Sequence, residues 1–364
     1  MIFASTKNLI NTAANAAAKD TAVEQAAAEF LGKLDQMSKA EAAEQMAALA
    51  ECFDLPKLYR GAYLALIGGA MVERGVDPQP MAAALRVQLK KLLEASAKFA
   101  DACRAVMPES PPDEENDEDE VDEDGQKPVN AAFEEAWQKI APKMPAEVEA
   151  WNALTTLWRP GIAVYSVSDL ARLAARNLRE PAKQIAEFHE GGHWLHLILS
   201  VLDDEPLVVI EPQTGLGIVG RIAGVVDNFQ LHTLLMESFP STGVFANRVP
   251  RLVADIARGL GPQESEEVVT GFWNLYNWRA LQSNGQLPES GDFSSSSQWI
   301  WNEGLPAEIP VLDGHRVVLL GPPSIERSWR AMRMFERLPA ELKIEGKLTA
   351  AEVNSWQQKM LAAK

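Results

Sequence analysis

Apolar residues recur every three or four positions through most of the first hundred residues, as in AEAAEQMAALAECF from Ala40 to Phe53. That interval is the period of an amphipathic helix, and the abundance of alanine favours small, closely packed helices. Thr21 with Glu24 and Ser38 with Glu41 each place a hydroxyl three residues before a carboxylate, the spacing of a capping box at a helix start. Residues 1–107 therefore read as an α-helical bundle of four or five helices.

The pattern changes after about Ala131. Helical spacing at Phe133–Lys139 and Val167–Leu178 leads to a segment from Pro181 to Leu202 that is long enough to form one helix. Two short apolar runs, Pro206–Pro212 and Leu216–Val226, flank Gln213-Thr214-Gly215 and predict a β-hairpin. Asp227–Phe239 returns to a helical period, with Asp227 at the N-cap position. Asp313-Gly314 separates two apolar runs within Ile309–Leu320, the strongest short hairpin signal a sequence carries. SIERSWRAMRMFERLP (Ser324–Pro339) suggests a helix with Arg330, Arg333 and Arg337 on one side, and Thr349 with Glu352 caps a last helix. The fold class expected is α+β and mostly helical, with small antiparallel hairpins confined to the C-terminal part.

Charge divides the chain further. Ten of the excess negative charges, against a net charge of −17, lie in DEENDEDEVDEDG from Asp113 to Gly125. With its flanking prolines, the stretch Pro108–Pro128 reads as a self-repelling, solvated linker. The domains expected are thus 1–107, a linker over 108–128, and 129–364. Glu120, Asp122, Asp124 and Gly125 imitate the first half of a calcium loop, but its twelfth position is Ala131, which has no carboxylate to offer. The acidic balance disfavours nucleic acid as a partner, since phosphate recognition needs clustered Lys and Arg. Instead, a protein or peptide partner is expected, and the arginines of Ser324–Pro339 form a candidate docking face for acidic segments.

Cys52 and Cys103 are the only cysteines and lie far apart, so no disulfide framework or cysteine zinc site is encoded. The first twenty residues lack the basic start and apolar block of a secretory signal. The longest apolar stretch, Gly61–Val72, is too short to cross a bilayer. A cytoplasmic protein that does not enter membranes is the expectation.

Candidate chemistry concentrates in FHEGGHWLHL, Phe188–Leu197. On a helix, His189, His193, His196 and Ser200 share one stripe while most of the remaining circumference is apolar. Such a helix is usually buried, and a buried polar stripe needs partners. Residues four apart point the same way, so two imidazoles can reach one Zn²⁺ and the intervening glutamate can reach a metal-bound water. The pair Gly191-Gly192 works against helix formation at about 0.8–1.0 kcal/mol each, but would let another element approach closely.

His189, Glu190 and His193 match H-E-x-x-H, and over these five residues the chain resembles the zincin metallopeptidases. The resemblance implies zinc as cofactor, His189 and His193 as ligands, and Glu190 as the base that activates water for hydrolysis of a peptide-like substrate. It also requires a third protein ligand. Position 199 is Leu199, which excludes the metzincin extension. Asp227 is the preferred candidate, with His196 and His232 as alternatives. Two functions follow from the sequence: a zinc-dependent, peptidase-like hydrolase, or a non-enzymatic adaptor in a bacterial-type cytosolic assembly whose histidine stripe is structural. Trp273, Trp278, Trp299 and Trp301 are core candidates that could alternatively line a ligand groove.

Overall fold

The computed structural model describes residues 2–108, 131–240, 249–288, 298–323 and 326–364. The acidic run, and with it the imperfect calcium pattern, lies outside the described residues apart from Pro108 and Ala131. Two compact units form, Met1–Leu199 and Ser200–Lys364. The fold is α+β and mostly helical.

Among its described residues the first unit is built of helices and turns, without strands. Its elements are α1 (Ala4–Ala14), α2 (Asp20–Leu34), α3 (Lys39–Ala50), α4 (Leu58–Glu73), α5 (Gln79–Arg104), α6 (Ala131–Ile140), α7 (Pro145–Val167), α8 (Asp169–Ala174), α9 (Arg179–Ile185) and α10 (Glu190–Ser200). In α5 the buried positions Met81, Leu85, Gln88, Leu89, Leu92, Leu93 and Ser96 keep the helical period, and this stripe packs on α7. α4 also lies along α7. A Cβ on Gly69 would stand 2.9 Å from Pro160 Cα, so the absence of a side chain there sets the crossing distance.

Helices on both sides of the acidic run therefore share one core, which corrects the domain reading. The boundary falls at 199/200, because α7 supplies the apolar surface against which α4 and α5 close. Ser38 and Glu41 form the expected capping box, but Thr21 and Glu24 do not, since α2 starts at Asp20 after Lys19. The turn before it is fixed by Arg60, a fully buried guanidinium that donates to the carbonyls of Ala13, Asn15 and Ala18 and to the Asp20 carboxylate.

The second unit is built on a mixed sheet. Strands β1 (Glu205–Glu211), β2 (Leu216–Ala223), β4 (Asn274–Asn277), β6 (His315–Gly321) and β8 (Glu341–Lys347) run in the order β4-β6-β1-β2-β8, with β5 (Val311–Leu312) on β6. β1 and β2 form the expected hairpin, and Asp313 and Gly314, at φ 50° and 75°, turn β5 into β6. The β1–β6 pair is parallel, where only antiparallel pairing was expected. β1 is buried on both faces, as its unbroken apolar run requires. Leu207 and Val209 face a core with α11 (Asn228–Ser238) and α12 (Arg251–Arg258), while Val208 and Ile210 face another with α13 (Ala350–Ala362). Thr349 and Glu352 cap α13 as expected.

Over its described residues, 326–339, the arginine-rich segment forms no helix. Ser328–Met332 forms strand β7, paired with β3 (Glu264–Thr270) in a two-stranded ribbon. Arg330 pairs with Glu266 across it, and Arg333 is buried with its donors on the carbonyls of Ile256, Gly261, Pro262 and Glu336. No shared basic face results from Arg330 and Arg333.

Candidate functional site

The H-E-x-x-H segment begins one residue outside its helix. Residues 186–189 interrupt the run expected to be one helix, and α10 starts at Glu190. His189 occupies the position before it, with its backbone N–H on Ile185 O at 2.8 Å and its carbonyl accepting from His193 N–H at 3.1 Å. The side chain closes the helix start. His189 Nδ1 accepts from Gly192 N–H at 3.3 Å, which places the proton on Nε2, and Nε2 lies 3.2 Å from the Trp151 carbonyl of α7. One lone pair caps α10 and the other nitrogen donates to α7.

The glycine pair explains why the segment closes so tightly. A Cβ on Gly191 would lie 2.5 Å from Trp158 Cδ1, and one on Gly192 would lie 2.4 Å from Ile185 Cγ1. The first turn of α10 is thus pressed against α7 and α9. His189 is 5 % exposed, and burial holds its pKa down at about 4, against the opposing effect of its bond to Trp151. The neutral imidazole is the form this packing demands.

Glu190 and His193 are exposed on α10. Glu190 occupies the first helical position, where the helix dipole favours a carboxylate. The His193 ring stands edge-on to Trp194 at 5.4 Å. Asp227 belongs to the second unit, where it caps α11 by accepting from Gln230 N–H at 2.7 Å. Burial raises its pKa to about 6 although backbone N–H groups of Gln230 and Phe229 oppose the rise. His232 is buried between Trp273 and Trp329, at ring distances of 6.1 and 5.1 Å. Desolvation lowers its pKa to about 4.

Within the first unit, both ring nitrogens of His189 are already engaged. A ligating imidazole needs a free lone pair, and that of His189 is committed to Gly192. Among the described residues, no group of three or more His, Cys, Asp or Glu side chains converges as a metal site requires. Cys52 and Cys103 are both free thiols.

Beside His189 the same helices build an aromatic groove that the motif does not announce. Trp151 meets the His189 ring edge-on at 4.7 Å. Phe133 stacks on Phe188 at 4.1 Å, nearly parallel, and Trp137 stands edge-on to Trp151 at 5.6 Å. Phe133, Trp137, Trp151 and Phe188, with Glu134 and Gln138 at the rim, enclose about 330 Å³. Arg104 covers the Phe188 ring at 5.1 Å. A sequence signal existed in Phe133 and Trp137, four residues apart on α6 and so on one face. Phe188 and Trp151 come from elsewhere in the chain, and only the fold brings them there. No helix among the described residues is long and apolar enough to cross a membrane. No family model, curated protein or solved structure matches this chain.

Proposed function

We propose that this chain works by binding a partner polypeptide, as an adaptor, and that the segment around His189 builds its docking groove. The observation that carries this reading is the engagement of both His189 ring nitrogens, by Gly192 N–H and by the Trp151 carbonyl. On this reading His189 serves to seat α10 on α7. It leaves the groove as the accessible chemistry of that region.

The groove suits one large apolar side chain of a peptide. Its walls are aromatic rings already locked against each other, so little side-chain freedom is lost on binding. Aromatic pockets of this kind carry most of the energy in protein interfaces. Glu134 and Gln138 at the rim supply hydrogen bonds to a peptide backbone.

Selection of random displayed peptides on the full chain tests the proposal. The expected winners carry an aromatic or long aliphatic anchor, and their affinity falls at least tenfold, about 1.4 kcal/mol, in Trp137→Ala. Winners indifferent to Trp137→Ala would reject the groove. One equivalent of zinc, present on purification and lost in His193→Ala, would reject the adaptor reading in favour of the hydrolase.

A further inference from the structure

A second pocket lies within the second unit, at the N-terminal end of α11. It encloses about 240 Å³ and is lined by Asn228, Arg279, Trp299, Trp301, Gly304 and Glu308 among others. We propose that this pocket binds a single uncharged sugar unit. The proposal rests on the pocket itself and is independent of the groove beside His189.

The first support is an unmatched acceptor. Asn228 is 2 % exposed, and its Nδ2 donates to the Trp301 carbonyl at 2.8 Å. That bond fixes which end of the amide is which, because a carbonyl accepts only from the NH₂ end. Asn228 Oδ1 is left buried with no protein partner. Asn228 is part of the pocket lining, so with a small shift of the amide a ligand hydroxyl supplies the donor that Oδ1 lacks.

The second support is the close approach of polar groups at Gly304. A Cβ there would stand 3.3 Å from Asn228 Nδ2 and 3.4 Å from Glu308 Oε2. The amide and the carboxylate therefore approach each other across a position where most residues would place a side chain. Glu308 is held in place by accepting from Leu305 N–H at 3.2 Å. Asn228 N–H and Phe229 N–H bind the carbonyls of Gly304 and Asn302, so this wall of the pocket is anchored to α11.

The remaining lining selects the ligand class. Trp299 and Trp301 stack at 5.5 Å and 28°, and Arg327 braces the Trp301 ring at 4.8 Å. Trp301 is nonetheless 41 % exposed, leaving indole surface at the mouth. One guanidinium, Arg279, and one carboxylate, Glu308, balance in charge, so a charged ligand would meet a like charge as well as an opposite one. A sugar hydroxyl both donates and accepts, matching Asn228 Oδ1, Glu308 and Arg279 together, while its C–H faces suit the indoles. The volume lies below the roughly 300–1,000 Å³ of drug-sized sites, which suits one ring.

The test titrates the full chain with methyl β-glucoside, methyl α-mannoside and N-acetylglucosamine, followed by saturation-transfer NMR. Glycine and glutamate serve as charged comparators. At least one of the three sugars should saturate in the millimolar range, with little change at high salt, and should bind at least tenfold more weakly in Trp301→Ala and Gly304→Val. Trp301→Ala, at an exposed position, keeps the test decisive if Gly304→Val fails to fold. Saturation by none of the sugars, by the amino acids instead, or equally in parent and Trp301→Ala would overturn the proposal.

Discussion

His189 can take up a proton only by giving up the bond that starts α10. Its Nδ1 lone pair accepts from Gly192 N–H, and its pKa falls from 6.5 to about 4 through burial. The unfolded chain thus binds a proton at higher pH than the folded one, and stability that is complete above pH 6.5 is lost as pH falls towards 4. The shift corresponds to about 3 kcal/mol. His189→Asn keeps a capping acceptor and removes the titration. We expect it to lower stability at pH 7.5, through the lost Trp151 bond, yet to flatten the pH dependence of the first unit between 6.5 and 4. Urea unfolding at several pH values measures this, and identical pH profiles for parent and variant would contradict it. Asp227 has the opposite sign. Its pKa is raised from 3.8 to about 6 by burial, so stability is full below 3.8 and is lost as pH rises through 6. Asp227→Asn, an equally good cap, should stabilise the second unit by on the order of 2 kcal/mol at pH 7.5 and hardly at pH 4. A gain that persists unchanged at pH 4 would show that the carboxylate's desolvation is not its source. The residue types at 189, 190 and 193 were legible as a pattern, and so was Asp227 as a cap. What the spacing could not convey is that His189 precedes the helix, which depends on Ile185 and Trp158 filling the space over the two glycines.

Capping and hairpin chemistry translated into elements wherever it was local. Ser38 with Glu41, Thr349 with Glu352 and Asp313-Gly314 each act within a few residues, and each stands in the fold as its spacing implies. Failures came where a distant partner decided. Thr21 lost its cap because Arg60, forty residues away, holds the Ala18 carbonyl and Asp20 carboxylate and so sets where α2 begins. The Ser324–Pro339 segment shows the ambiguity of short apolar runs, in which helix and strand periods cannot be separated. Pairing with Val268, Val269 and Thr270 makes the strand, and Arg333 then turns inward. Its buried guanidinium spans the carbonyls of Ile256, Gly261, Pro262 and Glu336, with its pKa lowered by the same burial. A lysine ammonium cannot reproduce that planar fork. Arg333→Lys should therefore cost about 2–4 kcal/mol, through carbonyls left without donors, despite keeping the charge. Thermal unfolding of the second unit provides the measurement, and a lysine variant melting with the parent would show that charge alone matters there.

At the scale of the whole chain, composition points to the wrong boundary for a physical reason. The acidic, proline-flanked run has the character of a linker, but chain composition says nothing about whether the segments on either side share a core. Here they do: α4 and α5 precede it, α7 follows it, and Leu64, Leu89, Leu92, Leu154 and Leu157 are all fully buried in the first unit. Gly69 against Pro160 marks how closely α4 and α7 approach. A fragment ending at Met107 would expose that face of α4 and the apolar stripe of α5, losing roughly 25 cal/mol for each Å² of apolar surface returned to water. Small helices rich in alanine have little propensity energy with which to offset such a loss, since most helical stability in proteins comes from packing. The expected outcome is that residues 1–107 keep partial helicity but unfold without a cooperative transition and bind a hydrophobic dye, whereas residues 1–199 unfold cooperatively. Circular dichroism melts of the two fragments decide the matter. A sharp transition in 1–107 at the midpoint of 1–199 would restore the boundary that the acidic run suggests and would mean that α7 is a passenger on a bundle already complete without it.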